Sequence, residues 1–187
     1  DGGIGTDLLD YHLYDTAVTV DLGGIHATAL FGTFVNLEGM IGSLFNDTLI
    51  GRIEGSTFHV TGQDQGDVDD NFTFVSVEHL QGGSNPDTLD YSRFAGPVSF
   101  VLTGDNADGF SGTAQYLTTG FSGMNALIGT PSADDSLTGR DDIANWEITS
   151  ANGGTYDYNS SIISYTNIEY LLGGALADTF HVHEGVT

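Results

Sequence analysis

Apolar and polar residues alternate along several short runs of this chain. Val18, Val20 and Leu22 face one side of a predicted strand, with Thr19 and Asp21 on the other side. Such alternation is typical of a half-buried β-strand. We find no stretch of ten or more residues with apolar positions at helical spacing, and the 27 glycines disfavour helices. The pattern predicts an all-β chain. Further runs of this kind lie at 58–60, 98–102, 146–148 and 180–182.

The predicted strands belong to a long internal repeat. A unit that repeats in this way cannot bury its apolar face alone and must stack on its neighbours. We therefore predict a single elongated repeat domain over 1–187, with repeat one at 1–80, repeat two at 81–172 and the start of a third at 173–187. Three pairs of segments align: 1–22 with 81–102, 34–52 with 121–140, and 77–91 with 168–182.

The spacing of strands and turns favours one β architecture. Short strands separated by Gly, Asp and Asn turns, within a long repeat, favour a parallel β-solenoid. Coils of about 20 residues would give about nine coils and a body ~45 Å long, because neighbouring strands lie ~4.8 Å apart. The structural alternative is a tandem pair of β-sandwich units, one for each repeat.

One aspartate recurs in every copy of a D-[TS]-[LF] motif or its equivalent. Aspartates cap turns by accepting backbone N–H groups, and the same carboxylates are candidate calcium ligands. Coils of about 20 residues would place successive motifs ~9.6 Å apart, too far to share an ion, whereas coils of about 40 would stack them at ~4.8 Å and favour a ladder of cations. Capping is favoured, and calcium stays open. The five residues are Asp7, Asp47, Asp87, Asp135 and Asp178.

The net charge of −23 limits the classes of partner that the chain is expected to bind. Twenty-six acidic residues stand against three arginines, and there is no lysine, so neither nucleic acid nor an anionic membrane is an expected partner. No apolar run reaches the ~18 residues of a membrane span, so membrane insertion is not expected either. The absence of cysteine excludes disulfides and thiol chemistry.

Catalytic signals are weak. Lyases that act on acidic polysaccharides need cationic side chains to neutralise the substrate, and this chain has only three arginines and no lysine. The G-x-S-x-G motif of serine hydrolases is absent as well. Twenty-six acids place some pairs together by chance, so paired carboxylates carry no catalytic prediction. His181 and His183 could bind zinc or copper only with a third ligand. The acidic stretches 67–70, 134–135 and 141–142 are peripheral calcium candidates or solvated loops. We predict no catalytic residues and no enzyme.

Residues 2–10 read GGIGTDLLD and match the nonapeptide GGxGxDxUx at every specified position. The chain resembles the degenerate haemolysin-type repeat region of large secreted bacterial surface and adhesin-like proteins. This resemblance implies secretion, an extracellular or cell-surface location and calcium between stacked nonapeptides. The chain departs from the family at Asn85 and Leu176, which replace a motif glycine, and it never places two nonapeptides in tandem.

These observations predict a non-enzymatic structural role. Open solenoid ends are unpaired strand edges, so we expect head-to-tail stacking with like subunits or with neighbouring repeats of the same protein. The chain starts at the opening of a motif and ends after a later copy, so we expect that its C-terminus can be followed by another N-terminus in register. The product would be a cell-surface fibre, sheath or adhesin stalk. The alternative is an adhesin module that binds surface glycans through outward aromatic rings, and a polysaccharide-active enzyme is third.

Overall fold

The computed structural model describes residues 1–186 and folds them into twenty β-strands. The first ten are β1 (Leu8–Asp10), β2 (Thr19–Asp21), β3 (His26–Ala27), β4 (Gly39–Ile41), β5 (Thr48–Ile50), β6 (Thr57–Gly62), β7 (Gln65–Val68), β8 (Phe72–Val75), β9 (His79–Gln81) and β10 (Thr88–Asp90). The other ten are β11 (Ser99–Asn106), β12 (Gly109–Ala114), β13 (Gly120–Met124), β14 (Ala126–Ile128), β15 (Ser136–Thr138), β16 (Asn145–Ser150), β17 (Gly153–Tyr158), β18 (Ser161–Thr166), β19 (Tyr170–Leu172) and β20 (Thr179–Val182). Within these residues no helix is long and apolar enough to span a membrane.

The strands form two stacked sheets. Sheet A has eleven strands in the order β1-β4-β8-β7-β6-β10-β14-β18-β17-β16-β20, and sheet B has nine in the order β3-β2-β5-β9-β13-β12-β11-β15-β19. The chain crosses repeatedly from one sheet to the other, and strands from successive coils pair in parallel, as β10 does with β6 and β14. The result is a β-solenoid of about five turns. The predicted all-β solenoid is confirmed.

Three antiparallel meanders interrupt the parallel stack. In each, the chain makes three consecutive strands within one sheet before it crosses to the other: β6-β7-β8 in sheet A, β11-β12-β13 in sheet B, and β16-β17-β18 again in sheet A. The predicted count of about nine uniform coils is therefore wrong, because the meanders use strands that would otherwise each begin a coil. The eleven strands of sheet A still extend over ~50 Å at the usual strand spacing.

The long repeat is visible in the order of the strands. In sheet A, β10 is the fifth strand after β1 and β20 is the fifth after β10, so equivalent strands lie ~24 Å apart. Coils without a meander are short: β4 begins at Gly39 and the next strand of sheet A begins at Thr57, eighteen residues later. Both sheets run without a break through the boundary near residue 81, so the repeats are not separate sandwiches. Thr187 of the predicted domain lies outside the described residues.

The core lies between the two sheets. Val18 and Val20 point inward with 2% and 0% exposure, as the alternating pattern predicts. Aromatic rings fill the C-terminal part, where Trp146 stacks on Phe180 at a centroid distance of 5.3 Å. Such pairs add about 0.5–1.5 kcal/mol beyond the burial of their area.

Candidate functional site

The predicted aspartates lie at the turns that lead into strands. Each immediately precedes a strand, and we call such a residue the leading residue of that strand. Asp47 and Asp135 lead β5 and β15 of sheet B, whereas Asp7, Asp87 and Asp178 lead β1, β10 and β20 of sheet A. The structure therefore divides the five between the two edges of the solenoid and does not bring them together.

Asp135 shows how such a carboxylate is held. Its side chain is fully buried, with 0% exposure. Oδ1 accepts the backbone N–H of Val98 at 2.7 Å, and Oδ2 accepts that of Thr130 at 2.6 Å. Asp47, Asp87 and Asp178 make the same two kinds of bond, one within their own turn and one to the leading residue of a neighbouring strand. These bonds confirm the interpretation of the aspartates as turn caps.

The bonds between leading residues form a regular pattern, which we call the edge ladder. The backbone N–H of one leading residue donates to the side-chain oxygen of the leading residue on the adjacent strand. Aspartate is the middle member, and Glu or Asn is the last. The described series are Val18 to Asp47 to Glu78, Ser56 to Asp87 to Asn125, Val98 to Asp135 to Glu169, Ala144 to Asp178, and Asp7 to Glu38.

The Glu and Asn members are functional residues that sequence reasoning missed. Glu78 accepts the N–H of Asp47 at 2.8 Å, and Asn125 accepts that of Asp87 at 2.9 Å. The sequence carries a signal for them, because Glu38, Glu78 and Glu169 each lie nine residues ahead of a motif aspartate, and Asn125 lies ten residues ahead of Asp135. The partner of each lies about thirty to forty residues earlier in the chain, and this distance hid their role.

The glycine that opens each motif turn, which is the first of the GG pair at Gly82 and a single glycine at Gly42, is a steric requirement of that turn. A Cβ atom on Gly42 would lie 1.8 Å from the carbonyl oxygen of Ser76, and one on Gly82 would lie 2.1 Å from that of Gly123. Neighbouring coils approach so closely here that only glycine fits.

Asp7 is the one predicted aspartate whose cap is incomplete. Its N–H donates to Glu38 at 2.8 Å, as the pattern requires. Its Oδ2 is buried and has no hydrogen-bond partner among residues 1–186. No strand lies beyond β1 in sheet A of the described chain to offer the N–H that Val98 offers to Asp135.

The spacing rules out a shared calcium ladder on these residues. On each edge the aspartate-led strands are five strands apart, or ~24 Å, whereas calcium ligands lie within about 2.6 Å of the ion. The carboxylates of Asp47, Asp87 and Asp135 are satisfied by N–H donors without an ion. Calcium at any single one of the five aspartates stays a prediction.

A second cluster surrounds His59 on β6. Its Nδ1 lies 2.8 Å from Oδ1 of Asp67, and its Nε2 lies 3.6 Å from Oδ2 of Asp90. The ligand atoms of His59, Asp67 and Asp70 lie within 4.8 Å of one another, a size that suits a metal ion. Arg93, however, already bonds Asp67 at 3.2 Å and Asp70 at 2.5 Å, so the cluster is an ion-pair network. The hydrogen bond from Arg93 lowers the pKa of Asp70.

A histidine–carboxylate pair equivalent to His59 and Asp90 lies near the C-terminal end, with the histidine and the acidic residue on exchanged strands. β6 pairs His59 with Asp90, and in the equivalent position β16 pairs Glu147 with His181. His183 then bonds Glu147, with 2.6 Å between Nε2 and Oε2. His181 on β20 and His183 just after it thus lie beside the carboxylate of Glu147, and metal binding by the two histidines stays untested.

The arginines pair with carboxylates in two of the three acidic stretches that are peripheral calcium candidates, 67–70 and 141–142. Arg52 bonds Asp69 at 2.6 Å, in the 67–70 stretch. Arg140 bonds Asp105 and Asp142, and its guanidinium lies 4.2 Å from the ring centre of Tyr158. Each arginine is held by at least one carboxylate.

Burial shifts the pKa of two members of the edge ladder. Loss of solvent raises the pKa of Asp87 to about 6, against the opposing effect of N–H bonds from Ser56 and Gly83. Burial also raises the pKa of Glu78. Both groups thus hold their protons at a higher pH than free carboxyl groups do.

Comparisons with models of protein families, with curated protein sequences and with solved structures found no match to this chain.

Proposed function

We propose that this chain is a non-enzymatic structural segment of an extracellular bacterial surface fibre, sheath or adhesin stalk, in which repeat coils stack end to end along one axis. One observation carries the proposal. Phe180 on the terminal strand β20 is 42% exposed, whereas its repeat equivalent Leu89, inside the stack, is 0% exposed. The terminal strand therefore presents a core position to solvent, and a further coil would bury it.

The distribution of acidic groups supports a structural role. The most deeply buried carboxylates, Asp47, Asp87 and Asp135, bond the backbone of neighbouring coils. His59 is 7% exposed and faces carboxylates that also bond Arg93, so a substrate has little access to its ring nitrogens. The net charge of −23 disfavours side-by-side association and leaves stacking along the axis as the favoured contact.

The resemblance to haemolysin-type repeats of secreted surface proteins supports the extracellular location. Its motif residues Gly2, Gly3 and Asp7 lie at the start of β1, where the equivalent turns of the other repeats carry the edge ladder. Like subunits or neighbouring repeats are the proposed partners.

The experiment adds repeats and measures length. Val182 is equivalent to Tyr91, so copies of residues 92–182 can be inserted after Val182 in register. Electron microscopy of chains with one, two and three inserted copies should show rods that lengthen by ~24 Å for each copy, with and without chelator. Beads whose number grows with the copies would contradict the proposal.

Two further measurements test the remaining parts. In the source cells, protease added outside intact cells should digest the protein if it lies on the surface. Glycan-array binding by the monomeric chain, lost when the exposed Tyr170 is replaced by Ala, would favour the glycan-binding alternative instead.

A further inference from the structure

Sheet A extends beyond sheet B at the C-terminal end of the stack. The chain passes directly from β18 of sheet A to β19 of sheet B. Three more strands, β17, β16 and β20, lie beyond β18 in sheet A, whereas no strand lies beyond β19 in sheet B within residues 1–186. Trp146 of β16 and Tyr156 of β17 are fully buried, but at the edge near Ile148 and Val182 the inner face of these strands lacks part of its opposing sheet.

The preceding repeat has the same arrangement with the opposing strands present. There β8, β7, β6 and β10 of sheet A are equivalent to β18, β17, β16 and β20. Beyond β9, which is equivalent to β19, sheet B continues with the meander β13, β12 and β11. This meander occupies the position that is open at the C-terminal end.

The meander makes specific contacts with sheet A in that preceding repeat. The hydroxyl of Tyr91 donates to the carbonyl oxygen of Gln115 at 2.7 Å. The carboxylate of Asp64, in the turn between β6 and β7, accepts the N–H of Thr118 at 2.7 Å and its hydroxyl at 2.6 Å. The residues equivalent to Tyr91 and Asp64 are Val182 and Asn152.

The equivalent positions at the C-terminal end are exposed. Val182 is 65% exposed, whereas Tyr91 is 0% exposed. Asn152 is exposed and turns its amide to Glu169, whereas Asp64 is buried against the meander.

A cavity marks the open position. Its volume is about 260 Å³, and its lining includes Ile148, Tyr165, Ile168 and Leu171. The hydroxyl of Tyr165 is buried and has no hydrogen-bond partner among the described residues. Burial raises the pKa of this phenol to about 12. The cavity thus has apolar side chains in its wall beside the polar residues Asn152 and Glu169.

We propose that this end of sheet A is a docking face for a three-stranded β-meander of the β11-β12-β13 class, supplied by a further repeat. The inference rests on the proposed function and specifies which coil makes the next contact. Such a unit places a strand equivalent to β14 beside β20. Its leading residue, equivalent to Asn125, accepts the N–H of Asp178 and completes the edge ladder.

A second copy of this chain that pairs its β1 with β20 is a poorer occupant. In sheet A, β1 of the second copy would follow β17, β16 and β20 as the fourth strand beyond β18. In sheet B, β3 and β2 of the second copy would then lie at the third and fourth positions beyond β19. The first and second positions of sheet B, next to the cavity, would stay empty.

Thiol labelling tests the docking face, because the chain has no cysteine of its own. Val182→Cys in the chain as it stands should react rapidly with a maleimide. In the chain with one inserted copy of residues 92–182, the thiol at the original position 182 should react at least tenfold more slowly. Leu89→Cys, at a position with 0% exposure, gives the buried reference rate.

Two controls keep the result interpretable. Phe121→Asp in the inserted copy disrupts β13 of the added meander and should restore fast labelling. A shorter insert of residues 92–128, with the meander and β14 alone, is a second variant in case the full copy folds poorly. Labelling within twofold of the chain without an insert, in both inserted chains, would overturn the inference.

The outcomes separate this inference from the proposed function. Slow labelling without growth of rods would support the proposed docking face and contradict the proposed fibre. Growth of rods with fast labelling would support the fibre and contradict this docking face.

Discussion

Val98 donates its backbone N–H to the buried carboxylate of Asp135 at 2.7 Å, across 37 positions of the chain. The two residues lead the adjacent strands β11 and β15, so the bond lies just outside the ladder of backbone bonds between those strands. A slip of one residue would leave a buried carboxylate without its donor, which is costly. The edge ladder therefore specifies which strands are neighbours and in which register.

Asp135→Asn should destabilise the fold strongly. The amide places an N–H donor where one carboxylate oxygen now accepts a backbone N–H, so at least one buried bond is lost. We expect a loss of about 2–4 kcal/mol in the free energy of unfolding, measured by chemical denaturation. The matched control is Asp134→Asn, which removes the same charge from the exposed neighbouring residue and should change stability by less than about 0.5 kcal/mol. Equal losses for both variants would assign the effect to net charge.

The last member of the edge ladder should need an acceptor oxygen and no charge. Asn125 already serves where Glu78 and Glu169 serve in other coils. Glu78→Gln should therefore be nearly neutral, and Glu78→Ala should lose about 1–2 kcal/mol, because the N–H of Asp47 loses its acceptor. Thermal melts of both variants test this, with the exposed Glu54→Ala as the control. A Gln variant as unstable as the Ala variant would show that charge matters.

Asp87 should make the protein less stable as the pH rises through the acid range. Burial raises the pKa of Asp87 in the folded state to about 6 from its ordinary value of 3.8, so the folded state binds the proton more tightly than the unfolded state. Its contribution to the free energy of unfolding therefore falls between about pH 4 and pH 6 and is level above that range. Denaturation of the wild type and of Asp87→Asn across this range isolates the effect. Parallel pH profiles for the two proteins would contradict it.

Divalent cations should stabilise the chain through its net charge of −23. At matched ionic strength we expect Mg²⁺ and Ca²⁺ to raise the melting temperature by similar amounts, and the loss caused by Asp135→Asn should persist in chelator. A rise specific to Ca²⁺ that Asp135→Asn abolishes would instead establish a calcium site at that aspartate.

The repeat and its turns could be predicted from the sequence because their signals are local. Asp87 caps a turn that begins at Gly83, and a Cβ atom on Gly82 would lie 2.7 Å from Oδ2 of Asp87 in the same turn. These features lie within a few residues and recur with the repeat. The alternation of Val18 and Val20 likewise gave the inward face correctly.

The meanders could not be predicted in the same way, because strand pairing is not local. β6 pairs with β7 through a short hairpin at Asp64 and also with β10, about thirty residues later. A short alternating run has the same pattern in a hairpin as in a parallel coil. The His59 cluster depends on the same pairing, since Asp67 arrives through the hairpin and Asp90 arrives from the next coil.

Amide hydrogen exchange by NMR tests the central claim most directly, namely that successive coils stack through the edge ladder. The N–H groups of Val98 and Asp135 lie at turns but donate to buried or half-buried carboxylates, so they should exchange at least 10³-fold more slowly than free amides. The N–H of Asp178, which lacks an acceptor on a further strand in the described chain, should exchange much faster. Exchange of Val98 and Asp135 as fast as that of Asp178 would contradict the stacked arrangement.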